Sequence, residues 1–600
     1  MVKTGEFRGP RDYEIVDRRT LMIAALSVAL AIGAGLAAQL LTSLIGLITN
    51  VSFYGRISTA FVDPAGAHPH VLKLLLVPMI GALIIGLMAR YGSAAIRGHG
   101  IPEVMENVLF GGSRIPARVL VLKPLSAAIA IGTGGPFGAE GPIIATGGAL
   151  GSLAGQLMRI TSDERKILLA SGAAAGMAAT FGSPVSAVLL SVELLLFEYR
   201  ARSLIPVALA AATATGVRAV FHGTAPVFAM ANVASPSGPA LAAYALIGLI
   251  AGIIAAGVTR ATYAIEDVFE KVGHKLHIHW MWWPIIGAFV VGVVGIFDPR
   301  VLGVGYDNIS GVLSGSIAGR ALLALLIFKF IAWSVYLGSG TSGGTMAPLF
   351  TIGGAIGAIL GGMIASMLPS LGVDHRVAGL VGMAAMFAGA SHALLTSVVM
   401  AFETTRQPLG LLPLLAGCTV GYFASIFLGR HSIMTEKLAR RGAALRLEYA
   451  VDHLAHVLVR DAAARKVVTL TDTSTVAEVR EWIASGAGHT THQGFPVLND
   501  QDILVGVVTR RDILDPTRTG KERIREIIRR PPVVVYEDNS LRDAADQMVT
   551  EEVGRLPVVS RDETLKVVGI LSRSDLLSAH RPRLAAATRM KRVRRFRAWR

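Results

Sequence analysis

Six hundred residues that are 52% hydrophobic and only 16% charged, with a mean hydropathy of +0.56, exclude an ordinary soluble enzyme and describe a polytopic membrane protein. The net charge of +16, from 57 basic and 41 acidic residues, sits largely outside the apolar runs; on a chain anchored in a membrane it does not point to nucleic acid. The single cysteine, Cys418, lies in an apolar run, so no intrachain disulfide forms.

In chain order, the first 20 residues carry Lys3, Arg8, Arg11, Arg18 and Arg19, which places this segment in the cytoplasm. Apolar runs follow at 21–49, 71–89, 241–258, 283–297, 321–337, 349–368 and 411–428. Several reach the roughly 20 residues that cross hydrocarbon. Others are short or broken by Gly and Pro, as in discontinuous helices. The first run is too long for a signal-peptide core and reads as a retained span. Residues 21–442 form the membrane part, and basic "EKLARRGAALR" after the last run puts the C-terminal side in the cytoplasm as well. The expected location is the inner membrane of a bacterium. A linker at 443–457 leads to soluble α/β text, and the basic tail at 583–600 reads either as a contact with anionic membrane lipid or as a solubilising end.

The membrane part repeats itself. At a shift of 206 residues Lys123 meets Lys329, Pro142 meets Pro348, Gly147-Gly148 meet Gly353-Gly354, Gly151 meets Gly357, Gly176 meets Gly382 and Phe181 meets Phe387. A lysine inside an apolar segment costs a few kcal/mol, so its recurrence at one offset is informative. Such halves suit inverted-repeat transporters, whose ion site lies between the repeats. "GPFGAEGPIIATGGALG" and "TSGGTMAPLFTIGGAIG" are the matching breaks, each opening a helix with free N–H groups and a Pro in its first turn.

"GHGIPEV" (98–104), "GAEGP" (138–142) and "GGTMAP" (343–348) resemble the three anion-binding signatures of the CLC chloride channels and transporters, and "RVLVLK" (118–123) and "FGSPVSAVLLSVE" (181–193) extend the match. The resemblance implies an all-α polytopic membrane fold, a CLC-type inverted repeat with broken helices, working as a homodimer with one pathway per subunit for chloride or another small anion. It implies anion-binding backbone at Gly98, His99, Gly100, Ile101 and Pro102, at Gly138, Ala139, Glu140, Gly141 and Pro142, and at Gly344, Thr345, Met346, Ala347 and Pro348. Helix starts of this kind hold an anion without trapping it. Glu140 matches the gating glutamate, which occupies the outer anion site when ionised and swings away when protonated; the alternative is a carboxylate stabilised by the helix start. Lys123 and Lys329 either raise the local positive potential, snorkel, or pair with Glu103 or Glu193.

The departures matter too. His99 stands where the family has serine, Met346 where it has phenylalanine, Met434 where it has the central tyrosine, and Ala139 where it has a basic residue. Two hydroxyl donors to the anion are thereby replaced. An imidazole N–H at His99 compensates in one reading, and in the other it bonds a neighbouring carbonyl. Met434 brings only an apolar plug. Leu194 occupies the position of the inner proton-relaying glutamate, with Glu193 beside it as the alternative proton path. These features favour a passive, channel-like chloride pathway; the alternative is a proton-coupled exchanger, and a third reading is a nucleotide-sensing scaffold without flux.

Beyond the linker, "GFPVLNDQDILVGVVTRRDIL" (494–514) parallels "RLPVVSRDETLKVVGILSRSDLL" (555–577), and the two units, 458–516 and 524–582, resemble a cytoplasmic α/β pair of CBS domains. The resemblance implies an adenine nucleotide on Thr509 with Asp512 and on Ser572 with Asp575; N-capping explains the same pattern without a ligand. No Walker A loop, metal-ligand spacing or nucleophile elbow occurs, so neither enzyme activity nor a required cofactor or metal is expected.

Overall fold

The computed structural model describes residues 18–442, 453–486, 490–561 and 566–581. Residues 1–17, most of the linker and the basic tail lie outside this range. The chain divides into two compact units, a helical one within 15–449 and a mixed one within 450–600.

The helical unit contains α1 (Arg18–Thr49), α2 (Val71–Leu87), α3 (Ile101–Leu109), α4 (Ala117–Gly132), α5 (Glu140–Leu157), α6 (Ser162–Phe181), α7 (Pro184–Leu190), α8 (Ala201–His222), α9 (Gly238–Lys275), α10 (Trp283–Phe297), α11 (Tyr306–Ser314), α12 (Gly319–Gly338), α13 (Met346–Met367), α14 (His375–Ser391), α15 (Leu394–Thr405), α16 (Leu411–Leu428) and α17 (Glu436–Arg440). Eight helices among the described residues are long and apolar enough to cross a membrane, and the chain is an integral multi-pass membrane protein. The short helices α3 and α11 do not span. Each sits before a helix that carries a buried lysine.

Local chemistry sets these boundaries. α6 begins on a capping box in which Thr161 and Glu164 satisfy each other's backbone N–H groups, and Arg19 pairs with Glu164 at 2.7 Å. α14 begins on Asp374, whose carboxylate accepts from the Arg376 N–H. The repeated glycines let backbones touch: a Cβ on Gly147 would collide with the Gly172 carbonyl, and one on Gly353 would collide with the carbonyl of Gly382. So the offset glycines are where α5 meets α6 and α13 meets α14, the small-residue contacts by which helices associate when lipid offers no hydrophobic drive.

The mixed unit holds two copies of one design. β1 (Leu470–Thr471) runs parallel to β2 (Gly494–Leu498), which pairs antiparallel with β3 (Leu504–Thr509). β4 (Val535–Tyr536), β5 (Arg555–Val559) and β6 (Val567–Ser572) repeat the order and directions. Even the register shift recurs, at Val497/Leu498 and again at Val558/Val559. Leu504, Val534 and Val559 form a small core joining the two copies.

Candidate functional site

The three glycine-rich signatures converge. Gly138 and Gly344 exchange backbone hydrogen bonds, the Gly138 N–H donating to the Gly344 carbonyl at 3.2 Å and the Gly344 N–H to the Gly138 carbonyl at 3.0 Å. The first signature joins the third, since the Gly98 N–H donates to the Thr341 carbonyl at 2.8 Å and the Gly343 N–H to the Gly98 carbonyl at 3.4 Å. It also packs on the second: Gly141 lies against the His99 carbonyl, and Gly100, at φ +97°, lies against the Gly141 carbonyl. Only glycine adopts that φ freely and leaves room for such an approach.

Each expected residue therefore has a definite place. Gly98, His99 and Gly100 lead into α3, whose first residues are Ile101 and Pro102; Gly138 and Ala139 lead into α5, with Glu140, Gly141 and Pro142 in its first turn. Gly344 and Thr345 precede α13, with Met346, Ala347 and Pro348 in its first turn. The starts of α3, α5 and α13 are thus held side by side by these loop contacts, and a helix start leaves its first N–H groups without intrahelical partners. Met434 is fully buried in the turn between α16 and α17.

Glu140 is fully buried and makes no ion pair among the described residues. Its Oε1 accepts a hydrogen bond from the Tyr306 hydroxyl at 2.7 Å. Its Oε2 has no partner among the described residues and lies against Gly138 and Gly344, where a side chain on Gly138 would collide with it. Sequence reasoning missed Tyr306, the first residue of α11. The available signal was a second, short repeat: Gly98, Gly100 and Ile101 return as Gly303, Gly305 and Tyr306 at an offset of 205.

Both lysines are buried and hold backbone. Lys123 Nζ donates to the carbonyls of Ile96 and Gly98, each at 2.8 Å. Lys329 Nζ donates to Val301 at 2.9 Å and Gly303 at 3.1 Å. Each lysine thus pins the loop that feeds a short helix, α3 in one half and α11 in the other. Glu103 pairs instead with Lys437, at 2.8 Å. Glu193 accepts from the backbone of Leu395 and Thr396 at the start of α15, and Leu194 is fully buried.

His99 is buried, with neither ring nitrogen hydrogen-bonded among the described residues. It lines a cavity of about 850 Å³ together with Glu103, Tyr263, Glu266 and Lys437. The Tyr263 hydroxyl donates to the Ile433 carbonyl at 2.8 Å, next to Met434.

In the mixed unit, Thr509 and Asp512 form a capping box, the hydroxyl donating to Oδ2 at 2.5 Å, and Ser572 donates to Asp575 at 2.7 Å. Capping is therefore present at both candidate nucleotide positions. Thr509 and Asp512 also line a cavity of about 450 Å³ with Arg529, Arg530 and Arg555. Arg529 reaches Asp512 at 3.4 Å, and partial burial lowers the pKa of Arg555 from the ordinary arginine value. No cluster of His, Cys, Asp and Glu suited to a metal occurs among the described residues.

Comparisons with known proteins agree with this geometry. Residues 80–425 match the family described as voltage gated chloride channel, and residues 459–516 and 524–581 each match the CBS domain. A putative chloride channel protein ClcB-like from Ralstonia nicotianae is 29% identical over 66% of this chain and 90% of its own. An H(+)/Cl(-) exchange transporter ClcA from Vibrio parahaemolyticus is 28% identical over 62% of this chain and 80% of its own. Among solved structures, a slow cyanobacterial Cl-/H+ antiporter superposes with a TM-score of 0.63 at 21% identity, covering 71% of this chain and 98% of that one. A eukaryotic CLC transporter superposes at 0.56 and 20% identity, covering 92% of this chain and 98% of its own. The matched signatures, the paired helix breaks and the appended repeat make this chain a member of the voltage-gated chloride channel family, carrying a CBS pair.

Proposed function

We propose that this CLC-type anion transporter moves chloride, or a small anion like it, in exchange for protons, with Glu140 as the group both must pass. The carrying observation is that the Glu140 carboxylate sits buried beside the starts of α5 and α13 with a hydroxyl donor and no ion pair among the described residues. Ionised, the carboxylate occupies a locus whose free amides attract any anion; protonated, it loses its charge and yields the locus. Exchange is preferred over the passive pathway favoured by sequence because several relatives from Vibrio and Salmonella are named H(+)/Cl(-) exchange transporters.

Coupling needs a second proton station on the cavity side. Glu193 is a poor one, since both its oxygens are engaged by the start of α15. His99 suits better: a neutral imidazole takes a proton on one ring nitrogen from cavity water and keeps an N–H on the other. Leu194 supports the second reading, passive conduction, because leucine carries no proton.

The same proposal has the protein acting as a homodimer in a bacterial inner membrane, both termini cytoplasmic. It has an adenine nucleotide bound at Thr509 and Asp512, where three arginines supply charge for phosphate. Reversal potentials of reconstituted protein under imposed pH and chloride gradients test the central claim. Exchange shifts the reversal potential away from the chloride equilibrium potential, and Glu140→Gln removes the shift. A reversal potential pinned to chloride at every pH gradient establishes passive conduction, and no chloride flux at all leaves the scaffold reading.

A further inference from the structure

We infer that Tyr306 is a side-chain ligand of the transported anion: the hydroxyl that holds the Glu140 carboxylate donates to the anion that replaces it. This rests on the transport reading above and adds a residue to it.

The hydroxyl lies 2.7 Å from Glu140 Oε1, so an ion entering as the carboxylate leaves meets an aimed O–H donor. A phenol donor is charge-neutral and bonds a carboxylate or a halide through the same hydrogen, strengthening binding without the hold of a full positive charge. Three features fix its direction. The ring packs against Phe228, Phe181 and Phe61 at centroid distances of 5.8, 6.1 and 6.2 Å. The backbone turns into α11 through Gly305 at φ +78°, so Tyr306 opens the helix. The loop before it is pinned by Lys329 through the carbonyls of Val301 and Gly303. A donor held on three sides is preorganised and needs little reordering to receive an ion.

The chain's own composition at the site supports the assignment. Neither His99 nor Met434 offers a hydroxyl, while Tyr306, which takes in the second half the place of Ile101 in the first, does.

Chloride titration calorimetry on the full-length Glu140→Ala protein, which has lost the competing carboxylate, tests this against Glu140→Ala/Tyr306→Phe. Removing a hydrogen bond to an ion is expected to weaken chloride binding by about tenfold or more. Equal affinities, within about twofold, overturn the inference while leaving the transport reading intact. Failure of Glu140→Ala to bind chloride, with wild-type vesicles also passing none, brings down the transport reading and this one with it. Phenylalanine retains the ring contacts, and an unchanged melting temperature verifies that. If the double variant melts early, bromide located by anomalous diffraction in Glu140→Ala decides: a peak within hydrogen-bonding reach of the Tyr306 Oη supports the assignment, and a peak elsewhere or none overturns it.

Discussion

Glu193, in the π-helical turn (Ser191–Leu196) that continues α7, and Glu403, in α15, each close the start of the other's helix. The Glu193 carboxylate accepts from the N–H groups of Leu395 and Thr396, both at 3.0 Å, and from the Thr396 hydroxyl. Glu403, at the far end of α15, accepts from Val185 at 3.0 Å and Ser186 at 2.8 Å, at the start of α7. Two antiparallel helices are thereby capped at both of these starts by carboxylates from across the pair, with the charge placed where the helix dipole favours it.

Replacing either carboxylate should therefore cost stability before it costs coupling. Glu193→Ala and Glu403→Ala each orphan two backbone donors and are expected to destabilise the protein by about 1–3 kcal/mol. Thermal unfolding in detergent should show comparable losses for the two, while Glu193→Gln keeps proton movement. Loss of proton movement in a well-folded Glu193→Gln protein would return Glu193 to the proton path.

The buried lysines lead to a second expectation. Lys123→Met and Lys329→Met fill the same space but each withdraw the ammonium donor from two carbonyls, with Gly98 keeping only the longer bond from the Gly343 N–H, an expected loss of about 2–4 kcal/mol. Melting curves of the two variants should fall together. If instead melting is unchanged and only chloride affinity drops, the lysines act through their charge.

His99 gives a third. With no hydrogen-bond partner to lose among the described residues, His99→Ala should fold, yet transport should become uncoupled, its reversal potential moving toward that of chloride. Acidifying the side that protonates Glu140 should still raise chloride flux, because a neutral carboxyl no longer competes for the amides. Full coupling in His99→Ala would assign the inner proton to another group of the cavity, with Glu266 next in line.

A fourth prediction concerns the CBS pair. ATP is expected to bind the full-length protein, and Arg529→Ala to weaken it at least tenfold by removing a charge-assisted contact to phosphate. Calorimetry with ATP, ADP and AMP checks this; no heat from any of them leaves the capping boxes of Thr509 and Ser572 as purely structural.

How much of this was legible depends on the length scale of each interaction. The three signatures and the glycines spaced by 206 are local patterns, and they led directly to paired helix starts and glycine contacts. The lysines were legible as a pair but not in their role, because their partners are backbone carbonyls, which leave no mark on a sequence. Tyr306 lies 166 residues from Glu140 and belongs to a nine-residue helix, too short to announce itself. In the sequence Glu193 stands only as the alternative proton path beside Leu194, since its engagement with Leu395 needs the two helices already assembled. The exchange of Glu103 from a lysine in its own half to Lys437, 334 residues away, has the same cause.

Where Gly147 meets Gly172 and Gly353 meets Gly382, main chain lies directly on main chain. At these crossings carbonyl oxygens lie within reach of the opposing glycines, with Met386 beside Gly353, so sliding one helix past the other would drive carbonyl oxygens into α-carbons. The scaffold around Glu140 is in mechanical terms a stiff frame, and the cheapest moving part within it is one carboxylate turning about its own bonds. Under the proposed exchange, turnover waits on proton arrival and a side-chain rotation rather than on the travel of whole helices.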